Sequence, residues 1–395
     1  MNIKLIMFFG LFILIYGSIH YYIGLRGWQC FQGLFSNPRI IWYWIIFIAF
    51  LASSYPLARF LAPRLPYETA RMVIFIGSYW LAFMYYLLII LLAIDIVRII
   101  DRWAGFLPAI LKNTPAMTGL AVMLAVAVLV IYGTWNANHP VIRDYEVTLN
   151  KKSSDLETLH VVAVSDIHLG WINGLKQMKI LTDMINELNP DLVLLTGDII
   201  DEGIDLAAEQ KIPQVLRTLH PHLGIYAIMG NHEYISKNAD QAEAYLNRAG
   251  VVVLRDQWIK IGNSLYLIGR DDQSRVYYGG TTRLALSEIM KGMEKDHLPV
   301  LLMDHQPVDL ENAEQAGIDL QISGHTHRGQ LWPNNYITRT VFEQDCGYLR
   351  KGHLQLIVSC GYGTWGPPIR IGNRPEILNI RIKFEPSAIS EITGN

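Results

Sequence analysis

Five short clusters rich in Asp, His, Asn and Gly lie between Asp166 and His327 of this 395-residue sequence. The clusters are Asp166-Ile167-His168, Gly197-Asp198-Ile199-Ile200-Asp201, Gly230-Asn231-His232-Glu233, Asp304-His305 and Gly324-His325-Thr326-His327. Carboxylate, imidazole and amide groups are ligands that suit Mn, Fe, Zn or Co. The residue types therefore predict a site for divalent metal ions.

The spacing within two of the clusters has a physical reason. In an extended segment, residues two apart point to the same face, so we expect Asp166 and His168 to bind one ion. The same argument joins His325 and His327. Glycines between the ligands allow tight turns and a close approach of the backbone; they are Gly197, Gly230 and Gly324.

Each cluster follows an apolar run that predicts a β-strand. The predicted strands are Leu159–Ser165, Leu192–Thr196, Ile225–Met229, Val251–Leu254, Leu265–Ile268, Val300–Met303, Leu320–Ile322, Leu354–Ser359 and Ile377–Ile382. The predicted helices are Leu175–Leu188, Ala239–Ala249 and Thr282–Met293. Strands alternating with helices indicate an α/β domain, and the close spacing of the later strands predicts an antiparallel part. Ligands of open α/β sheets bind beyond the carboxyl ends of the strands, so the five clusters should converge there.

Each cluster alone also has a simpler interpretation. Gly-Asp after a strand is an ordinary turn signal, Gly-Asn-His could be a turn, and His305 could be a hydrogen-bonded core histidine. Five such clusters, each at a strand end and in this order, are not explained by turns.

The order of the clusters resembles that of the calcineurin-like metallophosphoesterase superfamily, over roughly Leu159–Ile382. The sequence is most similar to the bacterial branch with an N-terminal membrane region, whose end resembles the stretch from Ser359 to Glu376 here. The resemblance implies two divalent ions, with Mn as the first choice. One ion would be bound by Asp166, His168 and His327. The other ion would be bound by Asn231, His305 and His325. Asp198 would bind both ions.

The resemblance also implies the roles of residues beside the ligands. His232 would donate a proton to the leaving oxygen or stabilise the transition state, while Asp201 and Glu233 would support the ligands or the fold. Arg328 departs from the Gly that many relatives have there; it could reach a substrate phosphate, but we expect it to face solvent. Three further residues, Asp271, Asp272 and Arg370, are expected to line the mouth of the site.

The first third of the chain predicts a membrane domain, residues 1–138. Four apolar stretches near residues 5–25, 40–57, 72–94 and 117–135 each approach the roughly 20 residues that cross a bilayer. We expect four transmembrane helices in a multi-pass cell-membrane protein; a buried soluble helical bundle is the alternative. The loops on the side of the catalytic domain hold seven Lys/Arg, and the loops on the opposite side hold five. Since Lys and Arg are more frequent in cytoplasmic loops, the count predicts a cytoplasmic catalytic domain. Residues 139–157 are predicted as a linker, 158–385 as the catalytic domain and 386–395 as a tail.

Composition narrows the possible partners. Residues 1–135 hold nine basic and three acidic residues, which leaves 24 basic and 32 acidic residues in the remainder. An acidic soluble domain lacks the basic stripe of nucleic-acid-binding proteins, so no nucleic-acid partner is expected. The three cysteines, Cys30, Cys346 and Cys360, form no CxxC pair and are expected to be small apolar residues without a disulfide framework.

These observations predict an N-terminal α-helical membrane domain followed by an α/β metallophosphoesterase domain, a β-sandwich of mixed sheets flanked by helices. The expected function is hydrolysis of a phosphodiester, pyrophosphate or phosphomonoester by metal-activated hydroxide. The membrane region favours a lipid-linked substrate, and by analogy a UDP-diacylglucosamine-like one. A phosphodiesterase for a soluble nucleotide and a non-catalytic metal-binding membrane sensor are the alternatives. The sequence gives no oligomeric state.

Overall fold

The computed structural model describes residues 3–153, 155–201, 211–294 and 297–385. The chain divides into an N-terminal unit, residues 1–134 with 366–369, and a C-terminal unit, residues 135–365 with 370–395. The predicted tail, 386–395, lies outside the described residues.

The N-terminal unit is helical. Its helices are α1 (Ile3–Phe31), α2 (Ile40–Leu61), α3 (Tyr67–Ala104), α4 (Ala109–Asn113) and α5 (Pro115–Ala137). Three described helical stretches are long and apolar enough to cross a membrane: Ile40–Arg64, Tyr67–Ala104 and Pro115–Ala137. Three of the four predicted crossings are thus matched by helices. The remaining predicted stretch, near residues 5–25, lies within α1. That α1 crosses the membrane stays a prediction.

Close backbone contacts and polar pairs join these helices. A Cβ on Gly77 of α3 would lie 2.7 Å from Cα of Tyr55 in α2, so only glycine permits this approach. Arg26 of α1 forms an ion pair with Asp95 of α3 at 2.5 Å. Both side chains are only partly exposed, a setting in which a charge needs such a partner, and the pair therefore joins α1 to α3.

The C-terminal unit contains two six-stranded mixed sheets. The first has the order β1 (Val141–Leu149), β12 (Glu376–Phe384), β2 (Thr158–Val164), β3 (Leu192–Thr196), β4 (Ile225–Ile228) and β5 (Val252–Val253). The second has the order β10 (Gly347–Lys351), β11 (Leu354–Val358), β9 (Leu320–Ser323), β8 (Val300–Met303), β7 (Leu265–Gly269) and β6 (Gln257–Ile261). Strands β2 to β5 are parallel, as are β7, β8, β9 and β11. All nine predicted strands are confirmed.

Helices accompany the two sheets, and several of them pack on the outer faces. They are α6 (Leu175–Leu188), α7 (Ile212–Leu216), α8 (Asn231–Ile235), α9 (Ala239–Arg248), α10 (Arg275–Tyr278), α11 (Leu286–Ile289), α12 (Leu310–Gln315) and α13 (Asn335–Val341). One apolar core, which includes Leu194 and Leu301, lies between the sheets. Two more cores lie under the outer helices, one around Leu181 and the other around Leu310. This arrangement is the predicted sandwich flanked by helices.

Two sequence-based expectations are wrong in this unit. The predicted linker contains β1, which pairs with β12 along its whole length from Val141 to Leu149; Tyr145, Val147 and Leu149 alternate with polar residues, as in an edge strand. Cys346 and Cys360 form a disulfide, because a turn brings the start of β10 beside the end of β11. Cys30 is a free cysteine.

Candidate metal centre

The polar clusters gather where the carboxyl ends of the parallel strands of both sheets meet. The first sheet contributes residues after β2, β3 and β4, namely Asp166, His168, Asp198 and Asn231. The second sheet contributes residues after β8 and β9, namely His305, His325 and His327. Ligand-type atoms of these residues form groups within 4.8 Å of one another. Two of the groups at this junction take side chains from both sheets, and a third, His168 with Asp198 and His232, takes them from the first sheet alone.

One group consists of Asp166, His168 and His327, all buried. The Nε2 atoms of the two histidines are 2.9 Å apart. Oδ1 of Asp166 lies 3.3 Å from Nε2 of His327 and 3.9 Å from Nε2 of His168. Three potential ligand atoms thus point at one another across the junction of the sheets.

A second group consists of Asp198, His305 and His325. Asn231 joins it, since its Oδ1 is 2.8 Å from Nδ1 of His325. Nε2 of His305 is buried and has no hydrogen-bond partner among the described residues, although Oδ2 of Asp198 lies 3.2 Å away. A buried imidazole nitrogen without such a bond is costly unless something else binds it.

Asp198 stands between the two groups. Its Oδ2 is 3.2 Å from His305 in the second group and 3.9 Å from His168 in the first. Its other oxygen accepts a hydrogen bond from the backbone N–H of His232 at 2.8 Å. This carboxylate could therefore contact ions in both groups.

The backbone of these clusters is left-handed, not extended. Asp166, His168, Asp198, His325 and His327 have φ values from 46° to 72°, a region that costs non-glycine residues about 1–3 kcal/mol each. The argument from an extended segment is therefore wrong, most clearly for His325 and His327, which belong to different groups. The assignment implied by the resemblance separates these two histidines in the same way as the geometry does.

Hydrogen bonds and two glycines hold this strained backbone. The backbone N–H of His325 donates to both oxygens of Asp166, at 3.1 and 3.0 Å. A Cβ on Gly230 would lie 2.1 Å from Oδ1 of Asp198, and one on Gly324 would lie 2.4 Å from Oδ2 of Asp166. Any other residue at either position would displace a carboxylate, so these glycines are required by close approach.

His232 lies at the edge of the groups and pairs with Asp201. Nδ1 of His232 contacts Oδ1 of Asp201, and its ring meets that of His168 edge-on at 4.7 Å between centroids. Burial lowers the pKa of His232, but the bond to Asp201 and the charge of Asp198 outweigh it and raise the pKa to about 9. The raised pKa favours the protonated form of this imidazole at neutral pH.

Glu233 ties two of the ligand loops together. Its carboxylate accepts hydrogen bonds from the backbone N–H groups of Ile199 and Ile200, after Asp198, and of Gly230, before Asn231. The side chain is fully buried, and burial together with Asp198 raises its pKa to about 7. Glu233 therefore positions loops and does not face the cavity.

Arg370 and the acidic pair Asp271 and Asp272 do not line the mouth, contrary to the sequence-based expectation. Arg370 is fully buried, and its Nη2 lies 3.0 Å from Nδ1 of His327. Its other hydrogen bonds go to backbone carbonyls and to Asn373. Asp271 and Asp272 are also fully buried. The local sequence around these charged residues does not indicate that they are buried.

Charge in the centre suits cation binding. Burial raises the pKa of Asp166 and Asp198, yet neighbouring histidines hold both well below the ordinary value. Burial lowers the pKa of His325, and it lowers that of His327 to about 4. Burial also lowers the pKa of His305, but the negative charge of Asp198 outweighs it, so the pKa of His305 is raised. Ionised carboxylates and neutral imidazoles are the forms that bind metals, so Asp166, Asp198, His325 and His327 fit divalent ions, and His305 would release its proton on binding one.

A cavity of about 740 Å³ opens beside the groups. Its polar wall includes His168, Asp198, Asn231, His232 and His327, and its outer wall includes Ile235, Ile337 and Trp365. The sequence did not predict this apolar wall. Its helix α13 is only seven residues long, too short for a helical pattern to be recognised, and it does not follow a predicted strand. Arg328 is half-buried and lines a separate cavity of about 550 Å³.

Known proteins match this chain in sequence. The family model of calcineurin-like phosphoesterases matches residues 159–329. A "transmembrane protein with metallophosphoesterase domain" from Danio rerio is 28% identical over 361 residues, which cover 88% of this chain and 82% of the relative. An "uncharacterized metallophosphoesterase" from Aquifex aeolicus is 32% identical over 248 residues, 61% of this chain and 91% of the relative. The first match includes the N-terminal region, and the second corresponds in length to the C-terminal unit.

Proposed function

Because the chain belongs to the calcineurin-like metallophosphoesterase family, we propose that it is a membrane-anchored, two-metal phosphoesterase. It would hydrolyse a phosphodiester, pyrophosphate or phosphomonoester bond. The observation that carries the proposal is the pair of ligand groups that meet at Asp198, one around Asp166 and the other around His305. Family membership supports a hydrolase that uses divalent metals, and the helices of the N-terminal unit support membrane association.

The residues of the centre fit two ion positions. Asp166, His168 and His327 would hold one ion; Asn231, His305 and His325 would hold the other; Asp198 would contact both. Bound divalent ions supply Lewis acidity and lower the pKa of a water molecule toward neutrality. Mn is our first choice, and Fe, Zn and Co suit the same ligands.

The protein's own groups would orient and protonate the substrate. His232, protonated at neutral pH, would donate its proton to the leaving oxygen. Asp201 would hold the imidazole in position through Nδ1. Glu233 and Arg370 would keep the ligand loops and the His327 ring in place, since both are buried and bonded to those segments. Arg328 would lie outside the catalytic step.

We propose a lipid-linked substrate, which a UDP-diacylglucosamine-like molecule would exemplify. Membrane-spanning helices in the same chain support this choice, because they hold the enzyme where such lipids are. A soluble nucleotide phosphodiester is the alternative substrate. A non-catalytic metal-binding sensor is disfavoured by the complete set of ligand residues around Asp198.

A fourth crossing by α1 is part of the proposal, and it would place both ends of the membrane region on one side. The charge count favours a cytoplasmic catalytic domain. The disulfide between Cys346 and Cys360 weighs against it, because disulfides persist mainly in oxidising compartments. A cysteine introduced at the exposed Val252 would decide: labelling by a membrane-impermeant maleimide in intact cells would place the domain outside.

Hydrolysis of bis(p-nitrophenyl) phosphate by the detergent-purified protein tests the reaction class. We expect turnover that requires added Mn²⁺ and is lost in Asn231→Ala. The exposed Asn247 on α9 offers a matched control, and Asn247→Ala should retain full turnover. Metal analysis should find two ions per chain. A wild-type protein that binds no ions would disprove the proposal, and one that binds two ions without turnover would mean that the aryl ester is not accepted.

A further inference from the structure

Large apolar side chains are exposed beside the metal centre. Ile235, Ile337 and Trp365 line the cavity, with 45%, 62% and 57% of their surface exposed. Tyr336 and Val341, on the same helix as Ile337, are 59% and 67% exposed. With Trp332, which is also exposed, these residues form what we call the apolar rim. Exposed apolar patches of this kind usually mark a surface that binds a protein or a membrane.

The geometry of α13 keeps the apolar side chains outward. Thr338 on its inner side donates a hydrogen bond to Asp345 at 2.7 Å, which anchors the helix to the segment before β10. Ile337 and Val341, four residues apart, share one face. The exposed positions are therefore a consequence of a fixed helix orientation.

Charge beside the rim favours a lipid surface over a protein. Arg339 is exposed on α13, and with Arg328, Arg143 and Arg374 it lines the adjoining cavity, whose acidic residues are Glu343, Asp345 and Glu376, the last of them paired with Arg143. Neither Arg328 nor Arg339 forms an ion pair with any residue that the structure describes. Apolar and aromatic side chains next to unpaired cations are typical of surfaces that enter the interface of an anionic bilayer. Trp and Tyr are enriched at such interfaces, and the rim contains three of them, Trp332, Tyr336 and Trp365.

We propose that the apolar rim docks into the headgroup region of an anionic lipid bilayer, so that the metal centre takes its phosphoester from a membrane lipid. A bilayer is always near, since the same chain carries membrane-spanning helices. The docking surface stands on the rim alone, whereas the lipid substrate rests on the proposed function.

A fluorescent probe tests docking without any need for activity. The full chain, with Cys30→Ser to remove the free thiol, would carry a nitrobenzoxadiazole label on Val341→Cys. The matched control would carry it on Val252→Cys, at an exposed valine of the edge strand β5. In nanodiscs of equal parts phosphatidylcholine and phosphatidylglycerol, nitroxide-labelled lipid should quench the probe at 341 and leave the probe at 252 unchanged. Equal fluorescence at both positions, or a blue-shifted probe at 341 that lipid does not quench, would overturn the proposal.

A comparison of two esters that share one leaving group tests whether docking to the bilayer delivers the substrate. In nanodiscs, hexadecyl p-nitrophenyl phosphate should have a higher kcat/KM than methyl p-nitrophenyl phosphate. Tyr336→Ser with Val341→Ser should lower kcat/KM for the hexadecyl ester roughly tenfold and leave the methyl ester and the Val252→Ser control unaffected. Equal loss on both esters would overturn the substrate part. Quenching at 341 without hydrolysis of either ester would mean that the docking surface is right and the proposed function is wrong.

Discussion

Replacement of Asp201 by Asn tests whether His232 is the proton donor. The structure raises the pKa of His232 from its ordinary 6.5 to about 9, a difference worth roughly 3 kcal/mol in favour of the protonated ring. Contact with Asp201 is the largest of the contributions that raise it. Asn keeps the shape of the side chain and removes the charge. We expect the pKa of His232 to fall by more than about one unit, or about 1.4 kcal/mol.

The sign of the effect on rate follows from the role of the ring. A protonated donor is present below its pKa and is lost as pH rises through it, so kcat should have a basic limb that His232 controls. In Asp201→Asn this limb should move to lower pH by the same amount. Bound ions act on both proteins alike, so the displacement between them, and not the absolute position, is the quantity to measure.

The assay compares two leaving groups at saturating Mn²⁺. A phosphodiester with an alkyl leaving group needs a proton, whereas p-nitrophenolate leaves without one. His232→Ala should lower kcat for the alkyl ester by about 10²–10⁴ and affect the nitrophenyl ester much less. An unmoved basic limb in Asp201→Asn, or equal losses on both esters in His232→Ala, would refute the assignment.

Further predictions concern the buried residues that support the centre. Glu233→Ala should leave three buried N–H groups unpaired at roughly 1–3 kcal/mol each and lower the Tm clearly more than Glu233→Gln, which keeps one acceptor; differential scanning fluorimetry measures both. Arg370→Lys should keep the fold but weaken the affinity for one of the two ions by roughly 10–100-fold, as seen in a Mn²⁺ titration; two unchanged affinities would contradict its role. Cys346→Ser with Cys360→Ser should reduce stability by roughly 3 kcal/mol, because the bond closes a loop with a sequence separation of 14. Thiol counting without reductant should give one reactive cysteine per chain in the wild type, and three would mean that the bond does not form.

Periodicity and strand-end clusters predicted the core strands of both sheets because those strands are buried on both faces and read as apolar runs. The three missed strands, β1, β6 and β10, all lie at sheet edges. An edge strand has one side open to solvent and carries charged residues that break up an apolar run. Alternation from Tyr145 to Leu149 was the available signal for β1.

The site was predictable in its residue types and less so in its geometry. The clusters identified which side chains gather, but a left-handed φ at Asp166 or His325 depends on hydrogen bonds from another strand end, which no local pattern encodes. The burial of Arg370 likewise depends on packing between segments that are far apart in the sequence. The bond between Cys346 and Cys360 was missed because two cysteines without a framework give no sign of how a turn brings them together.

Division of the ligands between the two sheets has a consequence for biosynthesis. Asp166, Asp198 and Asn231 are made early on the ribosome, whereas His305 and His327 are made late, and in the proposed assignment each ion takes ligands from both sets. Capture of both proposed ions would then report that the first and second halves of the domain have both emerged and docked. A truncated chain would lack ligands of both proposed ion sites, and bound ions would link the two sheets of the finished domain.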